Sequence, residues 1–68
     1  MININQKTPK EINKDIANSL VKIRKRKKIS QTVLSKKSGV SVGSIRRFEQ
    51  ENEISLISLT KIAIALGI

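Results

Sequence analysis

One pattern of apolar and polar residues occurs three times in the chain: an apolar residue, a serine, and a second apolar residue four positions after the serine. The three copies are Ile29-Ser30…Leu34, Val40-Ser41…Ile45 and Ile54-Ser55…Leu59. Serine is a favoured helix N-cap, because its hydroxyl accepts a hydrogen bond from a free N–H group of the first turn. An apolar residue before the cap packs on the fourth helical residue and fixes the angle at which the chain enters the helix. The pattern therefore predicts the starts of three helices.

A further helix start lies closer to the N-terminus. Thr8-Pro9-Lys10-Glu11 places threonine at the N-cap, proline at the first helical position and glutamate at the third, which is a capping box. An apolar stripe at helical spacing follows, formed by Ile12, Ile16, Leu20 and Ile23. The helix is predicted to end near Lys27 and Lys28, whose charges favour the C-terminal end of the helix dipole. We expect residues 1–7 to be a flexible arm and residues 8–68 to be a single domain.

The other helices have equally clear boundaries. The second is predicted from Gln31 to Ser38, with Gly39 as the left-handed residue that ends it. The third runs from Val42 to about Gln50, with Ile45 and Phe48 on its core face. The fourth runs from residue 56 to residue 66 and ends at Gly67, with an inner stripe of Leu56, Leu59, Ile62, Ala63 and Leu66. The predicted fold class is all-α, a small bundle of four short helices, or five if another follows, in which the second and third form a helix-turn-helix.

Composition excludes several classes of protein. The 68 residues include no cysteine and no histidine, so disulfides, thiolate chemistry, the usual zinc ligands and the commonest general base are absent. We therefore predict a protein that is not an enzyme and needs no cofactor or metal. No apolar stretch approaches the roughly 20 residues of a membrane span, and the N-terminus lacks the apolar region of a signal peptide. A cytoplasmic protein with no membrane partner is expected.

The charge balance points to a polyanionic partner. Fourteen Lys and Arg against five Asp and Glu give a net charge of +9, which favours nucleic acid through counterion release. A lysine-rich soluble protein without such a partner is the alternative explanation of the charge. Phe48 is the sole aromatic residue, so base stacking on aromatic side chains, as in RNA-binding proteins, is not expected.

The outer face of the third helix carries the candidate chemistry. At 100° per residue, the face opposite the core carries two arginines and a glutamine, side chains that hydrogen-bond guanine and adenine edges in the major groove. Val42 is suited to a thymine methyl group, and Gly43 allows a close approach. The candidates for base readout are Val42, Gly43, Ser44, Arg46, Arg47 and Gln50. A solvated helix face is the alternative interpretation of the same residues.

These features together resemble a known family. Residues 16–68 are similar to Cro/C1-type helix-turn-helix domains, the lambda-repressor-like family, and the similarity rests on "LVKIRKRKKISQTVLSKKSGVSVGSIRRFE" and "ISLISLTKIAIALGI". The resemblance implies binding of double-stranded DNA, usually as a homodimer on a palindromic operator with the third helix in the major groove. It also implies phosphate contacts from Gln31 and Thr32, and an ion pair between Arg24 and Glu49.

The chain departs from the family pattern after the third helix. The loop that usually carries basic residues is here Glu51-Asn52-Glu53, so a phosphate contact is weakened or moved. The basic run at residues 24–28 is a candidate replacement, with Lys25, Lys27 and Lys28 as phosphate ligands, although a solvated helix end explains it as well.

The fourth helix departs in a different way. Ile57, Ile64 and Ile68 lie off its inner stripe and form an exposed apolar strip. We interpret this strip as a dimer interface, or as the docking surface of a further helix or a partner protein.

The expected function is that of a bacterial or phage transcriptional regulator that represses by occupying its operator at the nucleoid. A HipB-type antitoxin, which binds operator DNA and also a partner toxin, is the alternative. Phe48-Glu49 and Glu53-Ile54-Ser55-Leu56 carry that weaker resemblance.

Overall fold

Four helices make up the described part of the chain. The computed structural model describes residues 6–68, which contain α1 (Pro9–Arg26), α2 (Gln31–Ser38), α3 (Val42–Glu51) and α4 (Leu56–Ala65), and no strand. The all-α class predicted from the sequence is confirmed, and the four helices begin at the predicted positions. Most of the predicted arm, residues 1–5, lies outside the described residues.

Each helix start has the hydrogen bond that its cap residue predicts. The hydroxyls of Ser30, Ser41 and Ser55 accept the N–H groups three residues ahead at 3.0, 3.1 and 3.2 Å. At α1, Thr8 Oγ1 accepts the Glu11 N–H at 3.2 Å, and the Glu11 carboxylate accepts the Thr8 N–H at 3.4 Å, which completes the capping box. The caps fix where each helix begins, and therefore the register of its faces.

The helix ends use left-handed residues. Gly39 ends α2 with φ of 77°, and only two residues separate it from α3, so the turn between these helices is tight. Lys28 follows α1 with φ of 57°, although most side chains avoid this region. Its N–H donates to Lys25 O at 2.9 Å, and the Ile29 N–H donates to Arg24 O at 3.1 Å, which is the hydrogen-bond pattern of a Schellman motif.

The core contains one cluster drawn from all four helices. Its buried members are Ala17, Leu20, Leu34, Val40, Ile45, Phe48, Ile62 and Leu66. The predicted inner face of α3, Ile45 and Phe48, is buried, whereas the contribution of Ala17 was not predicted. Because α2 packs against both α3 and α4, and α1 packs against α3, the bundle covers one face of α3 and leaves the other in solvent.

One predicted core residue is not in the core. Leu56, which the sequence pattern assigned to the inner stripe of α4, is 78% exposed. Leu56 is the first residue of α4, and a helical side chain leans toward the turn that precedes its own Cα. No such turn exists at the first position, so the side chain extends beyond the bundle. Of the predicted stripe, Ile62 of α4 and Leu66, the residue directly after α4, are buried.

Candidate nucleic-acid interface

The solvent face of α3 carries most of the side chains predicted to read bases. Arg46, Arg47 and Gln50 are exposed, and so are Gly43 and Ser44 near the start of the helix. Val42, the first residue of α3, is half-buried, so it offers less surface than the arginines. The Ser44 hydroxyl lies 2.9 Å from that of Ser41, which ties it to the helix cap. This face is a basic, polar surface directly opposite the buried Ile45 and Phe48.

A carboxylate shared by three helices holds α3 in this orientation. Arg24 of α1 donates from Nε to Glu49 Oε2 at 2.7 Å and from Nη2 to Glu49 Oε1 at 3.0 Å. Gln31, the first residue of α2, donates from Nε2 to Glu49 Oε1 at 2.9 Å. The Arg24 and Glu49 side chains are only 11% and 12% exposed. A largely buried bidentate pair of this kind fixes direction as well as distance, so the outer face of α3 cannot rotate freely about its axis.

The hydrogen bond from Gln31 to Glu49 changes which groups at the start of α2 can bind a phosphate. The Gln31 side-chain amide, predicted to contact phosphate directly, is directed at Glu49. The Ser30 hydroxyl accepts the N–H of Val33, and the Ser30 carbonyl accepts the N–H of Leu34. The N–H groups of Gln31 and Thr32 come before these two, at the positive end of the helix dipole. The main chain at Gln31 and Thr32 is therefore the part of this helix start best arranged to receive an anion.

Arg47 has partners that the sequence analysis missed. Its Nε donates to Glu51 Oε2 at 3.1 Å, and its Nη2 donates to Glu53 Oε1 at 2.8 Å. The spacing of Arg47 and Glu51, four residues apart on one helix face, is the signal that would have indicated the first of these pairs. No ion pair involving Arg46 is seen in the described residues. The two neighbouring arginines of α3 thus differ in their electrostatic surroundings.

The basic segment at the C-terminal end of α1 is exposed, but its lysines differ in their surroundings. Lys25, Lys27 and Lys28 all lie at the surface. A Cβ atom placed on Gly67 would lie 3.9 Å from Lys27 Nζ, so the Lys27 ammonium group lies beside the C-terminal end of α4. That end carries partial negative charge from its last carbonyl groups, which favours a nearby cation. Lys25 and Lys28 remain as the less constrained candidates for phosphate.

The apolar strip predicted on α4 is exposed. Ile57, Ile64 and Ile68 expose 67%, 70% and 64% of their surface, and the neighbouring Leu56 exposes still more. Branched apolar residues grouped in this way on a small domain are typical of a surface that is covered by something else. In the part of the chain that the structure describes, no helix is both long enough and apolar enough to cross a membrane.

The comparison with protein families agrees with this geometry. A sequence model of the helix-turn-helix family matches residues 20–68, which include the C-terminal part of α1 and all of α2, α3 and α4. The chain therefore belongs to the helix-turn-helix family, of the Cro/C1 type, and its class is that of DNA-binding transcription regulators. No curated protein and no solved structure is significantly similar to it.

Proposed function

We propose that the protein is a repressor that binds a palindromic operator as a homodimer, with α3 of each subunit in the major groove. The observation that carries the proposal is the division of α3 into two faces. Ile45 and Phe48 are buried in the core, while Arg46, Arg47 and Gln50 face the solvent. An α-helix fits the major groove, and arginine and glutamine side chains can distinguish guanine and adenine there.

The start of α2 supports the docking geometry of this proposal. In a helix-turn-helix the second helix of the motif enters the groove and the first crosses the phosphate backbone. Here the N–H groups of Gln31 and Thr32 would receive a phosphate, and the exposed Lys25 and Lys28 would add positive charge. These contacts position the protein without reading sequence.

The proposed dimer is supported by the small number of base pairs that one domain can contact. A single helix contacts only a few base pairs, and each is worth roughly 1–3 kcal/mol of discrimination. A second copy related by two-fold symmetry doubles the site and requires a self-complementary surface. The strip formed by Ile57, Ile64 and Ile68 is the candidate for that surface, because all three apolar residues are strongly exposed.

Selection of bound duplexes from a random pool tests the proposal. We expect enrichment of an inverted repeat whose half-site centres lie about one helical turn of DNA apart, or a multiple of it. The recovered operator, placed over a promoter in a bacterial reporter strain, should reduce expression when the protein is present. A pool that shows no enrichment after repeated rounds would contradict sequence-specific binding.

A second function, that of an antitoxin, is favoured by one observation. Leu56 lies outside the proposed dimer strip and is the most exposed large apolar side chain described, so a surface remains for a protein partner. Co-expression with the products of neighbouring reading frames tests this function. A partner that co-purifies stoichiometrically, and is released by Leu56→Lys, would support it. A chain that purifies alone would leave the repressor function as the sole proposal.

A further inference from the structure

Two carboxylates hold one of the two arginines on the solvent face of α3. Glu51, the last residue of α3, and Glu53, in the loop that follows, each accept one N–H of Arg47, and we call them the acidic pair. Arg47, Glu51 and Glu53 are 62%, 60% and 64% exposed, so all three side chains lie at the surface that is proposed to meet DNA.

We infer that the acidic pair is a specificity determinant, which reduces the binding of Arg47 to phosphate while leaving its contact with a base available. The inference rests on the proposed function, since it assumes that α3 enters the major groove. It concerns a different property of that site, namely the ratio of affinities for the operator and for unrelated DNA.

The hydrogen-bond inventory of Arg47 supports a selective effect. A guanidinium group has five N–H donors, of which the acidic pair uses two. The remaining three include both N–H groups on Nη1. Guanine presents two neutral acceptors, N7 and O6, in the major groove. These acceptors can approach the free edge of Arg47 without displacing Glu51 or Glu53, and the two carboxylates then hold the guanidinium in place for the base.

A phosphate at the same position is repelled by the carboxylates of the acidic pair, whereas a neutral base is not. The phosphate is an anion, so it must either displace the carboxylates or approach Arg47 while they remain within a few ångströms. Each exposed ion pair is worth up to about 1 kcal/mol, which corresponds to about a fivefold change in affinity. Binding to unrelated DNA depends almost entirely on phosphate contacts, whereas operator binding also depends on base contacts. The acidic pair therefore penalises unrelated DNA more than the operator.

Arg46 offers a comparison inside the same helix. It is the neighbouring residue and is also exposed, but none of the ion pairs described includes it. Arg46 is therefore free of the acidic pair, and it serves as the reference for an arginine of α3 without carboxylate partners.

The experiment compares Glu51→Gln/Glu53→Gln with the wild-type protein on two duplexes, the selected operator and a scrambled sequence of equal composition, over a range of salt concentrations. We expect affinity for the scrambled duplex to rise about five- to tenfold and affinity for the operator to rise about twofold or less. The slope of log K against log salt for the scrambled duplex should steepen by about one, because Arg47 gains a phosphate contact. Circular dichroism checks that the helical fold is retained.

Two controls separate the contact with Arg47 from the general effect of charge. Glu11→Gln/Asp15→Asn also removes two negative charges, but from α1. Glutamine is accepted in place of Glu11 at the third position of a capping box. This variant should change the two affinities by the same factor. In an Arg47→Gln background the effect of the acidic pair should vanish, whereas in an Arg46→Gln background it should remain.

The possible results distinguish the inference from the proposed function. If the wild-type protein prefers its operator but the ratio of affinities is unchanged in Glu51→Gln/Glu53→Gln, the acidic pair is not a specificity determinant and the proposed function stands. The same conclusion applies if the effect persists in the Arg47→Gln background, since the carboxylates then act by general repulsion. A wild-type protein with no preference between the two duplexes would overturn both.

Discussion

Arg24 and Glu49 lie 25 positions apart in the sequence and form two hydrogen bonds, of 2.7 and 3.0 Å, between α1 and α3. Arg24 also donates from Nη1 to Ile29 O at 2.7 Å, so the same guanidinium fixes the loop between α1 and α2. With Gln31 on the other side of Glu49, the three helices that build the proposed DNA-binding surface meet at one carboxylate. The position of α3 therefore depends on polar contacts as well as on the core.

Replacing Glu49 should destabilise the domain strongly. Glu49→Ala leaves the Arg24 guanidinium poorly hydrated and without its anion, and the loss of one partner of a buried pair costs roughly 3–5 kcal/mol. The free energy of unfolding, measured with urea, should fall by about that amount. Glu51→Ala is the matched control, because it breaks an exposed pair and should cost at most about 1 kcal/mol. Equal effects of the two substitutions would show that burial of the Arg24–Glu49 pair is unimportant.

Base readout and backbone contact should be separable by substitution. Arg47→Ala should weaken operator binding by roughly 1–3 kcal/mol and relax the preference at one base pair, with little change on unrelated DNA. Lys25→Ala should instead weaken binding to both duplexes by the same factor and reduce the slope of log K against log salt by about one. Titrations of both duplexes at several salt concentrations provide the measurement. If Arg47→Ala reduced the affinities for the operator and for unrelated DNA by the same factor, Arg47 would be a phosphate contact.

Self-association should depend on the apolar strip of α4. Ile57→Lys/Ile64→Lys places two charges at positions that are already 67% and 70% exposed, respectively, so the fold should be retained. We expect sedimentation to show a monomer, and operator binding to lose its cooperativity. Asn13→Lys/Asn18→Lys adds the same charge on exposed positions of α1 and should leave the assembly unchanged. A wild-type chain that is monomeric at high concentration and on DNA would refute this interface.

The left-handed residue after α1 provides a test in which stability and DNA affinity move in opposite directions. Lys28 has φ of 57°, a conformation that costs a residue with a side chain roughly 1 kcal/mol and glycine almost nothing. Lys28→Gly should therefore raise the free energy of unfolding by up to about 1 kcal/mol, less the greater chain entropy of glycine. It should also weaken binding to any duplex, since one proposed phosphate ligand is removed. Lys28→Asn, which tolerates the same backbone region, should give the same loss of affinity.

Much of the fold could be predicted because its determinants are local. The three serine caps, the capping box at Thr8 and the left-handed Gly39 each act within a few residues, and all were visible in the sequence. Leu56 was misplaced because helical periodicity assigns a face but ignores how a helix end protrudes from its neighbours. The pairing of Gln31 with Glu49 was also missed, since it depends on how α2 and α3 cross.

The candidate site was predicted less completely than the fold. The outward position of Arg46 and Arg47 follows from the period of α3, and the acidic loop was recognised as unusual. Its contact with Arg47 was not predicted, because Glu53 lies beyond the helix, where sequence spacing no longer gives direction. The side chains that α3 presents are thus readable from sequence, whereas their charge partners require the structure.

The two faces of α3 also bear on how such a protein can change over evolutionary time. The side chains that would read DNA, Arg46, Arg47 and Gln50, take no part in the buried cluster. Substitutions at these positions can alter the recognised sequence while the free energy of unfolding stays nearly constant, since exposed replacements rarely change it by more than about 0.5 kcal/mol. Duplicated copies of the gene can therefore acquire different DNA specificities without first acquiring compensating changes in the core.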